Sequence, residues 1–156
     1  MRVWSLTMKR LRLISNIISI LLIGGYVVFL TACWTNIPET VPTHFDVLGR
    51  ADAYGSKESL IAEVAIMAVL FLLLAVVERF PSVWNFSVKV TAENKARLFA
   101  KGFAMIGAMK VLMVCMFINI GLSSIVANYP VWPLYLLLVL ITVVIIAGII
   151  ASVRAR

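Results

Sequence analysis

Four long apolar stretches, separated by polar connections, dominate the sequence. They cover residues 13–32, 59–77, 102–122 and 131–151. A helix of roughly 20 residues crosses a hydrocarbon core of about 30 Å, so each stretch can span a membrane. Because lipid offers no partner for backbone N–H and C=O groups, and because strand-like alternation is absent, the stretches are predicted to be helices. The pattern predicts an all-α fold, an integral membrane four-helix bundle forming one domain over residues 1–156.

The composition agrees with this class. Apolar residues make up 63% of the 156 residues and charged residues only 13%, which excludes a soluble domain of this size. The length leaves room for the spans and their connections, and no further soluble domain of ordinary size is expected.

Lys and Arg residues are distributed unevenly between the two sides of the predicted bundle. Four lie in the N-terminal tail, five in the connection 78–101 and two at the C-terminus, whereas the connection 34–57 holds only Arg50 and Lys57. The positive-inside rule therefore predicts that both termini lie in the cytoplasm and that the loop 34–57 lies outside. Since the cations flank spans and do not gather on one face, no nucleic-acid partner is expected.

The outer loop, residues 34–57, is long for a connection between adjacent helices. It contains too many large apolar side chains for a solvated linker, so disorder is not expected. Pro38 and Pro42 favour extended backbone, while Gly49 and Gly55 permit turns. These four residues are the structural candidates of an ordered cap on the outer membrane surface.

The loop also resembles a bacterial membrane family. The residues concerned are Ile37-Pro38, Val41-Pro42-Thr43-His44-Phe45, Gly49, Asp52, Tyr54-Gly55 and Ser56-Lys57, with a continuing likeness through residues 80–94 to Lys110. They resemble the domain of unknown function 1648, the N-terminal domain of immunity proteins that protect sporulating bacteria from a sporulation-delay toxin. The resemblance implies a multi-pass protein of the bacterial cytoplasmic (inner/plasma) membrane with an immunity, resistance or signalling role.

Five side chains of the loop are candidates for ligand binding: His44, Asp46, Asp52, Tyr54 and Lys57. Histidine can serve as a ligand, a proton acceptor or a hydrogen-bonded structural residue. In the structural alternative, His44 and Asp52 tie the loop to backbone groups or to each other, and Lys57 and Tyr54 anchor it at the interface. The repeated His or Cys spacing of zinc motifs is missing, so neither a metal nor a cofactor is expected.

Two ionisable residues fall inside the predicted spans, Glu63 in the second and Lys110 in the third. Such groups are costly in lipid and normally face partners or cavities. Three interpretations of Glu63 and Lys110 are open: a direct ion pair, separate structural hydrogen bonds, and a proton or ligand pathway.

The connection 78–101 is predicted to contain local structure. Glu78 and Arg79 are expected to mark the membrane interface, and residues 87–91 are β-prone. Thr91 can cap a helix with Glu93 in its first turn, so the third helix should begin before the membrane.

No catalytic motif is present in the sequence, and no enzyme is expected. The leading hypothesis is an interaction protein, embedded in the lipid bilayer, whose outer loop recognises a hydrophobic peptide or small-molecule envelope compound. One alternative is a small transporter or proton-coupled pathway using Glu63 and Lys110, built as a homo-oligomer because four helices enclose little space. Another is a structural subunit of a membrane complex.

Overall fold

The computed structural model describes residues 6–155. Within that range the chain forms four long helices: α1 Leu6–Cys33, α2 Ser59–Val77, α3 Lys95–Ile125 and α4 Trp132–Val153. Each is long and apolar enough to cross a membrane. The predicted fold class is confirmed, since the protein is mostly α and multi-pass.

The helices alternate in direction, which gives the bundle two distinct ends. At one end, called the hairpin end, residues 34–58 connect α1 to α2 and residues 126–131 connect α3 to α4. At the other, called the basic end, residues 78–94 connect α2 to α3. α2 begins and ends as predicted, whereas α1 and α3 extend past their apolar runs at the basic end. Lys and Arg favour helix and can be solvated there, so the helices do not stop where the apolar residues do.

α3 begins at Lys95, before the apolar run that starts at residue 102, as the sequence predicted, and a turn closed by Thr91 precedes it. The N–H of Thr91 donates to Oδ1 of Asn94 at 2.8 Å, and the N–H of Asn94 donates back to Oγ1 of Thr91 at 3.3 Å. This reciprocal pair resembles a capping box but closes the turn before α3, since Asn94 itself makes no side-chain cap hydrogen bond to the helix. The β-prone segment 87–91 is not a strand. A β-prone sequence forms a strand only where a neighbour pairs its backbone, and the sheet of the described residues contains only β1 and β2.

α3 is the central helix and packs against α1, α2 and α4. Its buried glycines let neighbouring helices approach closely: a Cβ on Gly107 would lie 3.1 Å from Oγ of Ser15 in α1. α4, by contrast, has no buried residue. An all-apolar helix at the edge of a bundle can use lipid as its partner, so α4 needs no burial by protein.

The connection between α1 and α2 is a β-hairpin. Strands β1 Thr40–Phe45 and β2 Ala51–Ser56 pair antiparallel, from Thr40 opposite Ser56 to Phe45 opposite Ala51. The ordered cap expected from the sequence thus contains a small sheet, which the all-α prediction did not include. Val41 in β1 is only 1% exposed and belongs to the apolar core of the hairpin end. This burial seats the hairpin on the helices.

Candidate functional site

The hairpin turn is closed by Asp46. Its carboxylate accepts hydrogen bonds from the N–H groups of Leu48 and Arg50 at 2.8 and 2.9 Å, and from Nε of Arg50 at 2.8 Å. The backbone N–H of Arg50 is the main reason that the pKa of Asp46 is lowered, since it stabilises the charged form. Gly49 completes the turn at a φ of +75°, a conformation that glycine adopts without strain.

The hairpin tip is docked on the beginning of α4. The hydroxyl of Tyr135 donates to the carbonyl of Val47. A side chain on Gly49 would overlap the side chain of Val131, so glycine is needed there for close approach as well as for the turn. These contacts hold the turn over the connection between α3 and α4.

A cleft of about 470 Å³ lies between the underside of the hairpin and this connection. The hairpin contributes Pro42, Phe45, Gly49, Ala51 and Tyr54, and the opposite wall is formed by Ile120, residues 123–129, Val131 and Leu134. The walls combine apolar surface with hydroxyl and amide groups from Ser123, Ser124 and Asn128. Asn128 has a φ of +56°, which Asn tolerates better than most residues and which turns the chain out of α3. The cleft therefore suits a ligand that is mostly apolar with a few polar groups.

Only one of the five predicted ligand residues lines the cleft, Tyr54. Nδ1 of His44 lies 2.5 Å from Oδ1 of Asp52, and their side chains are 68% and 48% exposed. This is the mutual contact of the structural alternative, and neither residue lines the cleft. The carboxylate of Asp46 is already engaged in the hydrogen bonds that close the turn. Among residues 6–155, no three His, Cys, Asp or Glu side chains come together as metal ligands.

Lys57 fastens the base of the hairpin. Its side chain is only 10% exposed, and Nζ lies 2.8 Å from Oε1 of Glu39. Nζ also lies 5.3 Å from the centre of the Trp34 ring, within range of a cation–π contact. The backbone adds a hydrogen bond from the N–H of Lys57 to the carbonyl of Glu39. Lys57, which directly follows β2, thus joins that strand to the segment following α1, and Gly55 of β2 lies opposite Val41.

Glu63 contacts α1 and α3, not Lys110. Oε2 of Glu63 lies 3.5 Å from the hydroxyl of Tyr26. Gly121 of α3 lies so close that a Cβ there would come within 2.7 Å of the same oxygen. The other oxygen of Glu63, Oε1, is buried and has no hydrogen-bond partner among the described residues.

Lys110 is paired with Glu78. Its ammonium group donates to Oε2 of Glu78 at 2.7 Å and to Oδ1 of Asn16 in α1. Both charged side chains are completely buried. Glu78, which was expected to mark the membrane interface, does follow the last turn of α2. Its carboxylate turns inward, because a buried ammonium requires a counter-charge.

An apolar layer separates these two polar groups. Met67 of α2 and Val114 of α3, both at 0% exposure, lie between them along their helices, and Phe71 is also buried. The direct ion pair between Glu63 and Lys110 is not formed. Sequence reasoning missed Tyr26, Asn16 and Glu78 as partners. A polar residue such as Asn16 inside an apolar span was the available signal, whereas nothing local in the sequence indicates which helix it faces.

The comparison with known families concerns the segment that holds the hairpin. Residues 20–72 match the family model described as "Domain of unknown function (DUF1648)". Residues 20–72, called the DUF1648 segment below, are thus similar to that domain. The resemblance drawn from the loop motifs is confirmed for that domain, while the match ends before the residues 80–110 that were also thought similar. No curated protein and no solved structure matches the chain. The DUF1648 segment supplies the hairpin wall of the cleft, and α3 and α4 supply the opposite wall.

Proposed function

We propose that this protein binds a membrane-active peptide or an apolar envelope compound in the cleft beneath the hairpin, and thereby acts in immunity, resistance or signalling. The observation that carries the proposal is the cleft itself, a cavity of about 470 Å³ at the end of a membrane bundle. Ligand sites are typically concave, mostly apolar and supplied with a few polar groups. The aromatic side chains of Phe45 and Tyr54 and the hydroxyls of Ser123 and Ser124 provide that combination.

The rigidity of the hairpin supports a binding role. Its base is fixed by Lys57, its middle by the burial of Val41 and its tip by Tyr135 and Val131. A wall held at three places loses little conformational entropy when a ligand binds, so more of the contact energy appears as affinity.

We also propose that the hairpin end faces outside and the basic end faces the cytoplasm. The basic end carries Lys and Arg on the extended turns of α1 and α3 and on the connection 78–94, whereas the hairpin end has only Arg50 and Lys57. This asymmetry follows the positive-inside rule. A cleft on the outer surface meets envelope-active compounds before they cross the membrane.

Filling the cleft tests the proposal. Ala51 lines the cleft, whereas Ala53 in the same strand is exposed and lies outside it. We expect bacteria that produce the protein to tolerate at least one peptide from a panel of amphipathic membrane-active peptides at roughly fourfold or higher concentration. Ala51→Trp should abolish this protection and Ala53→Trp should retain it, with equal amounts of both variants in the membrane fraction.

Two outcomes would contradict the proposal. The first is that no peptide of the panel is better tolerated by cells that produce the wild-type protein. The second is that Ala51→Trp protects as well as Ala53→Trp, because a ligand in the cleft cannot share it with an indole ring.

A further inference from the structure

A second cavity, of about 320 Å³, lies at the basic end between α1 and α2. Its lining consists of Lys9, Arg12, Leu13, Asn16, Ala75 and Arg79. Lys9, Arg12 and Asn16 are spaced by three and four residues, so they share one face of α1. Arg79 comes two residues after the end of α2. The cavity is remote from the hairpin cleft, at the opposite end of the bundle.

The polar groups that line this cavity are hydrogen-bond donors. Lysine and arginine side chains have no acceptor. Oδ1 of Asn16 already accepts a hydrogen bond from Lys110, which leaves the amide NH₂ as the group that Asn16 can offer a ligand. No Asp or Glu is part of the lining. Side chains of this kind suit an anion with several oxygen acceptors better than a cation.

The buried ion pair of Lys110 and Glu78, which contacts Asn16, adds no net charge next to the cavity. Lys110 and Glu78 form a contact of 2.7 Å and together carry no net charge. The lining itself holds three cationic side chains and no carboxylate, so its formal charge is positive. The hydrogen bond from Lys110 to Asn16 also holds the amide group of Asn16 in place at the inner wall of the cavity.

The position of the cavity fits a ligand at the membrane surface. Lys9 and Arg12 precede the apolar run that starts at residue 13, and Arg79 follows the apolar run of α2. Cations at this level lie where lipid phosphates lie, and each contributes about 1 kcal/mol to attraction by an anionic surface.

We propose that this cavity is a binding site for a phosphate group, with Lys9, Arg12 and Arg79 contacting its oxygens and Asn16 donating from the inner wall. Charge-assisted hydrogen bonds from Lys and Arg to phosphate are short and strong, and a tetrahedral anion can accept several at once. The head group of an anionic phospholipid and free inorganic phosphate share this chemistry. The site is independent of the function proposed for the hairpin cleft.

The test measures binding of two phosphate sources to the purified full chain. In detergent, short-chain phosphatidylglycerol is titrated against phosphatidylcholine of the same chain length, and inorganic phosphate is titrated against chloride at constant ionic strength. The variants are Lys9→Gln, Arg79→Gln and their combination. Arg10→Gln is the matched control, because Arg10 is exposed on the same turn of α1 but is not part of the lining.

We expect saturable binding of phosphatidylglycerol, of inorganic phosphate or of both. Each lining variant should weaken that binding about fivefold, the combination more than either, and Arg10→Gln less than twofold. Binding of the lipid alone identifies a head group as the ligand, and binding of inorganic phosphate identifies a soluble anion. The proposal is overturned if neither probe binds saturably, or if Arg10→Gln weakens binding as much as Lys9→Gln, which would indicate general attraction to a basic surface. Helix content of each variant, measured by circular dichroism, separates loss of binding from loss of fold.

Discussion

Lys110, in the middle of α3, lies 2.7 Å from the carboxylate of Glu78, and neither side chain has any exposed surface. The two residues are 32 positions apart. The contact joins α3 to the end of α2, and the hydrogen bond from Lys110 to Asn16 adds α1. Three helices therefore meet at one ammonium group, which makes it a structural centre of the basic half of the bundle.

Breaking this ion pair should destabilise the protein strongly. Lys110→Met leaves a buried carboxylate without its cation, and Glu78→Gln leaves a buried ammonium without its anion. We expect each to lower the free energy of unfolding by about 3–5 kcal/mol. The combination Lys110→Met with Glu78→Met should cost much less than the sum, because it removes both charges. Unfolding of the detergent-solubilised protein by SDS measures these values. If Lys110→Met and Glu78→Gln were both as stable as the wild type, the structural role of the ion pair would be refuted.

Gly121 should be required for the packing of α1 against α3. An added Cβ would overlap the hydroxyl of Tyr26 and crowd Oε2 of Glu63. We therefore expect Gly121→Ala to cost about 1–3 kcal/mol. Gly24→Ala is the control, because a Cβ at Gly24 meets nothing within 4 Å; it should be neutral or stabilise the helix by up to about 1 kcal/mol. The same unfolding assay compares the two, and equal effects would contradict this account of the helix contact.

The hydrogen bond from Tyr135 to Val47 should control how firmly the hairpin tip is held. Tyr135→Phe removes it, and we expect a loss of about 1 kcal/mol with faster amide hydrogen exchange at residues 46–50. Tyr129→Phe is a useful comparison, since it removes the 2.9 Å bond from Nδ2 of Asn119 to the Tyr129 hydroxyl and leaves the hairpin contacts intact. Exchange mass spectrometry should show faster exchange in the turn for the first variant only.

The hairpin turn should loosen in acid. The pKa of Asp46 lies below its ordinary value of 3.8 in the folded protein, chiefly because the Arg50 N–H stabilises the charged form. A lowered folded-state pKa means that the stabilisation is complete above the unfolded value and is lost as the pH falls through the folded value. We expect the amide signals of Leu48 and Arg50 to shift below about pH 4 in a nuclear magnetic resonance titration. In Asp46→Asn the shift should disappear, because the amide oxygen still accepts both bonds but does not titrate.

The hairpin illustrates which structural features can be predicted from residues that are close together in the sequence. The two prolines and two glycines correctly indicated an ordered loop, and the Thr91 cap correctly indicated an early start for α3. Pairing of β1 with β2 was not predicted, because the apolar residues of the loop do not alternate strictly and the register is irregular after Pro42. Of the predicted ligand residues, Tyr54 alone lines the cleft. Asp46 closes the turn, Lys57 holds the base of the hairpin, and His44 and Asp52 contact each other.

By itself, the sequence determined the membrane class, the four spans and the DUF1648 segment. These depend on the length of apolar runs and on motifs contiguous in the chain, because lipid forces each apolar run to satisfy its own backbone. The tertiary structure alone decided that Lys110 meets Glu78 and not Glu63, and that the hairpin docks on α4 across 88 positions. Such contacts depend on the rotation and depth of each helix relative to its neighbours, which small residues such as Gly121 set through packing. Hydropathy records how far a residue lies along a span, but not which helix its side chain faces.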